Sequence, residues 1–279
     1  MPATQIAENL AFINWTVLTG LAIGAFGAVI VGLLRTSATK GYLGFVALTA
    51  AAFAGLAWLS DGALPNPAIS DSRAMWDLAW WGPRAIGLGV FTVLALLSSI
   101  AIFRGARSAR AVVPAAVAAG FVLVAASASW GGSVLGSFLL LVQLAALAAA
   151  TGGVWAAMIL GHWYLVTPKL PEAPLVLFSR LLMGVVAVQL ALFVAWVATG
   201  AGPAGLSGLA ALSGTWALFV WLRLVVGIVF PLIVSWAAVQ TARSRSMESA
   251  TGLLYINVGT IAAGTILAAG LYFGAGLLV

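Results

Sequence analysis

Residues 216–240 read WALFVWLRLVVGIVFPLIVSWAAVQ. A helix of roughly 20 apolar residues crosses the hydrocarbon core of a bilayer, and this run is longer. One charge interrupts it. Arg223 lies about 10 Å inside the run at 1.5 Å per residue. A guanidinium at such depth costs about 2.5–3.5 kcal/mol on insertion scales, so it is expected to face a partner, a cavity or a ligand.

The rest of the chain belongs to the same class. Of its 279 residues 63% are hydrophobic and 6% charged. That balance excludes a soluble domain and defines an all-α, polytopic membrane protein. Barrel strands would alternate polar and apolar residues, and these segments do not. Spanning runs are expected at about 10–34, 41–60, 84–103, 111–130, 134–166, 174–199, 216–241 and 250–276, eight helices in a single transmembrane domain over 1–279. The fifth is long enough to require tilt or protrusion. The first follows no basic segment and no small-residue cleavage site, so it reads as a retained helix, not a signal peptide. No internal repeat is visible.

Basic residues set the orientation. Arg35, Lys40, Arg104, Arg107, Arg110, Lys169, Arg180, Arg243 and Arg245 fall on one side of the eight-helix scheme, and only Arg73 and Arg84 on the other. The positive-inside rule makes the first side cytoplasmic, with both termini outside. The net charge of +6 is thereby assigned to membrane orientation, not to nucleic acid. Glu8, Asp61, Asp71 and Asp77 share the other side. There, the second half of the 2–3 loop is expected to form a short helix capped by Ser70 or Asp71, with Trp76 and Trp80 on one face. The glycine-rich 6–7 loop is expected near the interface.

Few residues offer chemistry. With no Cys and one His, the chain cannot by itself bind an iron–sulfur cluster through thiolates or a bis-His haem, and no metal-ligating cluster is present. No motif for hydrolysis or phosphoryl transfer occurs. Six acidic residues, none near mid-membrane, argue against proton- or sodium-coupled transport. Arg223 leads the candidates for ligand binding, as a donor to an oxygen-rich head group. Asn14, Asp61 and Arg84 are read at a similar depth, with Trp58 and Trp221 as walls and Asp61 as a candidate proton acceptor. The plainer role for Arg223 is an ion pair with Asp61 or Asp77, or snorkelling towards the surface. His162, beside Trp163 and Tyr164, is an interfacial residue or a contact for a cofactor or partner. Gln143 and Gln189 are expected to bond across helices. Glu248 is expected to cap span 8 or pair with Arg245.

Three segments, WLRLVVG (221–227), AAGLYFGAG (268–276) and TGLAIGAFGAVIVGLL (19–34), resemble the eight-helix membrane anchor subunits of dimethyl-sulfoxide-reductase and polysulfide-reductase type complexes. The helix count and the termini-out topology extend the likeness over the whole chain. The resemblance implies a bacterial-type inner-membrane anchor that exchanges electrons between quinone and an attached iron–sulfur or haem subunit. Such an anchor carries no redox centre of its own, and a bound quinone is its implied ligand. In span 8, AAGTILAAG (262–270) stands where the resemblance implies a Gly-Glu pair, so the proton-handling carboxylate of such a site is missing. The alternatives are a structural subunit that binds lipid or pigment, and a small-solute carrier.

Reporter fusions after Ala38, Ser108, Pro171 and Ser246 are expected to report cytoplasm. A periplasmic signal from two of the four overturns the orientation.

Overall fold

Apolar side chains on every face of a long segment leave a helix as the structure that satisfies its own backbone in lipid. The computed structural model describes residues 1–66, 70–106, 109–167, 169–203 and 208–279. Arg107, Pro168 and part of the 6–7 loop lie outside them. Among the described residues, eight helices are long and apolar enough to cross a membrane. They are span 1 (Leu10–Arg35), span 2 (Lys40–Asp61), span 3 (Leu78–Phe103), span 4 (Val113–Gly131), span 5 (Val134–Val166), span 6 (Ala173–Thr199), span 7 (Ala217–Arg243) and span 8 (Met247–Ala275). Each sequence expectation matches one of them. Side chains cap the starts of spans 2 and 5, among others: Thr39 accepts from the Tyr42 N–H and Ser133 from the Gly136 N–H.

The helices form two four-helix groups. Spans 1 to 4 each pack on their neighbour in sequence, and so do spans 5 to 8. Span 8 returns to span 5 and closes the second group. The groups meet where span 1 lies against span 5, flanked by contacts of span 4 with span 5 and of span 8 with span 1. The sequence shows no repeat, yet this packing order recurs in the two halves.

Small residues permit the central crossing. A Cβ on Gly24 would fall 1.8 Å from the Ala148 carbonyl oxygen, and one on Gly152 would fall 2.1 Å from the Ala25 nitrogen. The two backbones are therefore in direct contact, as small-residue helix pairs allow in lipid.

The 2–3 loop differs from expectation. Its second half is an extended strap ending in a short 3-10 turn, Leu78–Trp80, which Asp77 caps by accepting from the Ala79 N–H. Alternate residues of the strap donate backbone N–H groups to the ends of spans 8 and 4: Arg73 to Phe273 O (2.7 Å), Met75 to Trp130 O (3.1 Å) and Asp77 to Ser129 O (2.9 Å). The last carbonyls of a helix have no partner within it. The strap supplies one, and this outweighs the local helical preference that its own sequence suggested.

We expect Gly152→Leu to lower the thermal midpoint in detergent sharply, since overpacking costs about 1–3 kcal/mol or more. Gly153→Leu should stay within a few degrees of wild type, because a Cβ there meets nothing within 4 Å. Equal midpoints for the two variants would contradict the crossing geometry.

Candidate functional site

Two buried arginines occupy matching places, near the starts of spans 3 and 7, and their surroundings differ. Arg84 is 0% exposed and Asp61 6%. Arg84 Nε donates to Asp61 Oδ1 (2.9 Å) and Nη2 to Oδ2 (3.1 Å), a fork-to-fork pair. Trp15 Nε1 donates to the same Oδ1 at 2.7 Å. The guanidinium carbon lies 4.0 Å from the Trp81 ring centroid, 5.0 Å from that of Trp130 and 5.7 Å from that of Trp15. Trp130 in turn meets Phe273 edge-on, and Tyr272 Oη donates to the Trp130 carbonyl. Asp61 closes span 2 and Arg84 lies near the start of span 3, so this cluster sits at the end of the bundle beneath the strap. Both carboxylate oxygens of Asp61 are engaged. The chemistry is that of a clamp holding spans 1 to 4 together, with its charge neutralised internally.

Arg223 is 1% exposed and has no such neutralisation. Among the described residues no carboxylate pairs with it; the two ion pairs present are Arg84–Asp61 and Arg245–Glu172. Asp61 is taken by Arg84, and Asp77 caps the 3-10 turn, so neither serves Arg223. Its Nη2 donates to Gln189 Oε1 at 3.0 Å and its Nη1 to the Gly227 carbonyl at 3.2 Å, while Nε has no partner. Gln189 is held in turn, its Nε2 donating to Ala146 O at 3.0 Å across the span 5–6 interface.

Local sequence explains the geometry. In an α-helix the Gly227 carbonyl would accept from residue 231, but Pro231 has no N–H. A π-turn, Val225–Val229, occupies this part of span 7, and π-turns are frequent at functional sites. Gly227 and Gly264 let spans 7 and 8 touch: a Cβ on either would fall 2.6 Å from the other's Cα and within 3.0 Å of Arg223 Nη1.

The direction of the side chain matters most. Gln189 lies about 15 Å from the end of span 6 and Gly264 about 16 Å from the end of span 8, at 1.5 Å per residue. Arg223 thus reaches inward, towards mid-membrane, opposite to the snorkelling expected of a long basic side chain that only seeks water.

The other candidates do not join this site. Asn14 faces outward from span 1. Trp58 is 50% exposed and packs at Gly89, and Trp221 is 47% exposed and donates to Leu212 O. The polar residues read at a similar depth therefore fall in two separate places, Asp61–Arg84 in one group and Arg223–Gln189 in the other. His162 is exposed at the opposite end of the bundle. A cavity of about 570 Å³ there is lined by Tyr164, Arg245 and Glu248 among others, and His162 is not among its lining residues. Arg245 pairs with Glu172 at 3.6 Å, not with Glu248, which lies in the first turn of span 8. Gln143 does not bond to another helix; it donates to the Val279 carbonyl in the tail that follows span 8.

No protein-family model, no curated protein and no solved structure matches the chain. What the fold defines is a multi-pass membrane protein of eight spans.

Removing one partner of a buried pair strands the other, at about 3–5 kcal/mol. Asp61→Leu and Arg84→Met should each lower the thermal midpoint strongly, and the double variant should recover much of the loss. Additive effects in this cycle would show that the two residues are not coupled.

Proposed function

We propose that this protein is the quinone-interacting membrane subunit of a multi-subunit electron-transfer complex, with Arg223 as the donor to a quinone carbonyl. One observation carries the reading: a fully buried arginine reaches towards mid-membrane, lacks a carboxylate partner and keeps an unused N–H. Placing such a charge costs about 2.5–3.5 kcal/mol on insertion scales. A purely structural residue at that point would have no need of charge. Gln189 fixes the guanidinium, and a fixed planar fork suits a carbonyl oxygen better than a mobile ammonium does. Quinone supplies the redox chemistry. This chain's residues bind and orient its head in a dry site. Electrons would pass to or from an iron–sulfur or haem partner subunit, and the expected setting is a bacterial-type inner membrane with its basic face cytoplasmic. The resemblance to reductase anchor subunits points the same way.

The test is equilibrium binding of decyl-ubiquinone to the purified protein in nanodiscs, read by quenching of tryptophan fluorescence. Arg223→Leu should weaken binding by about tenfold or more, the worth of one hydrogen bond from a charged donor at about 1.5–3 kcal/mol. Arg223→Lys should restore part of it. The thermal midpoint of Arg223→Leu should equal or exceed that of wild type, because an uncompensated charge is removed. Intact binding with a lowered midpoint would make Arg223 a structural residue and overturn the reading.

A further inference from the structure

An apolar groove opens between spans 1, 5 and 6, with a volume of about 370 Å³, within the range of small-molecule sites. None of its lining side chains is polar. Its span 6 wall includes Phe178, Leu182 and Val185. The spacing of four and then three residues places these on one helical stripe, and the next residue of that stripe, four further on, is Gln189. The span 5 wall includes Ala149 and Gly153 and begins at Ala145, next to the Ala146 carbonyl that binds Gln189. Gln189 and Arg223 do not themselves line the groove; Gln189 lies one helical turn beyond Val185, its last span 6 residue.

We propose that this groove seats the tail of the ligand whose head group lies at Gln189 and Arg223, which makes that ligand a long-chain isoprenoid quinone. The inference rests on the quinone reading of Arg223 and adds to it a tail subsite and a chain-length requirement. The polar clamp beyond the groove decides the occupant. A phospholipid keeps its head at the membrane surface, whereas Gln189 lies about 15 Å from the end of span 6. A quinone head is uncharged, offers carbonyl acceptors and can sit at that depth. Its isoprenoid chain matches a groove without polar side chains, and the head meets the unused donor.

Gly27 and Gly153 line the groove, and a Cβ on either meets nothing within 4 Å. Leucine at these positions fills the groove while sparing the helix contacts. Binding of decyl-ubiquinone and of tail-less ubiquinone-0 would be measured in nanodiscs for wild type, Gly27→Leu, Gly153→Leu and Arg223→Leu, with thermal midpoints as the check of folding. Gly27→Leu and Gly153→Leu should each weaken decyl-ubiquinone by about tenfold, the effect of losing a few buried methylenes, and leave ubiquinone-0 unchanged. Arg223→Leu should weaken both. If the glycine variants bind decyl-ubiquinone as wild type does while Arg223→Leu does not, the tail subsite is overturned and the head site stands. If Arg223→Leu changes neither ligand, the quinone reading itself falls. Displacement of decyl-ubiquinone by equimolar oleate would assign the groove to a fatty acid and overturn the quinone assignment.

Discussion

Hydrocarbon offers no hydrogen bonds, and the arrangement of this protein follows from how its polar groups are satisfied without water. Backbone groups in mid-span are satisfied by the helices themselves. At the helix ends the extended strap from Arg73 to Asp77 does the work, pairing with the last turns of spans 4 and 8. Side-chain charge is met in two ways. Asp61 and Arg84 neutralise each other within a box of tryptophans. Arg223 receives only dipoles, an amide and a carbonyl. One arginine is therefore neutralised by a carboxylate, and the other is held by neutral groups alone.

The glycine contacts give the two arginines their separate settings. Direct backbone contact at Gly24 and Gly152 brings the two four-helix groups together at spans 1 and 5. A second contact, at Gly227 and Gly264, shapes the space around the Arg223 fork inside the second group. Lipid does not drive helices together by the hydrophobic effect, so association depends on such close packing. The same crossing leaves open space at Gly27 and Gly153, each next to or near a packed glycine, and the apolar groove occupies it.

The spans were legible because each is a long apolar run, and the depth of Arg223 could be counted from the edge of its run. Span boundaries shifted where termini carry aromatic or polar turns: span 3 begins with the 3-10 turn at Leu78, and span 8 starts at Met247. The partners of the arginines were not legible. Asp61 and Arg84 read as two members of a binding layer, whereas their pairing depends on how spans 2 and 3 face each other. Nothing in the sequence sets Trp130, which closes the box around Arg84, apart from the other tryptophans. Gln189 read as an ordinary interhelical amide, which it is towards Ala146, but its second role towards Arg223 depends on tertiary packing. The strap was misread as a helix because its hydrogen-bond partners lie far away in sequence. A usable signal was present in span 7: Arg223, Gly227 and Pro231 recur at intervals of four, so a donor, a flexible carbonyl and a residue lacking an N–H share one face.

The π-turn of span 7 also gives the helix a spare residue. One residue of a helix corresponds to a rotation of about 100°. Were the Val225–Val229 turn to close into α geometry, the segment before it would turn by that angle relative to Pro231 and the remainder of the span. Arg223 would then swing from the bundle interior towards the lipid or the neighbouring span. The orientation of the guanidinium is thus set by the length of the chain between residues 223 and 231 as much as by its contacts, and a single-residue deletion there would redirect the charge without altering any side chain that touches it.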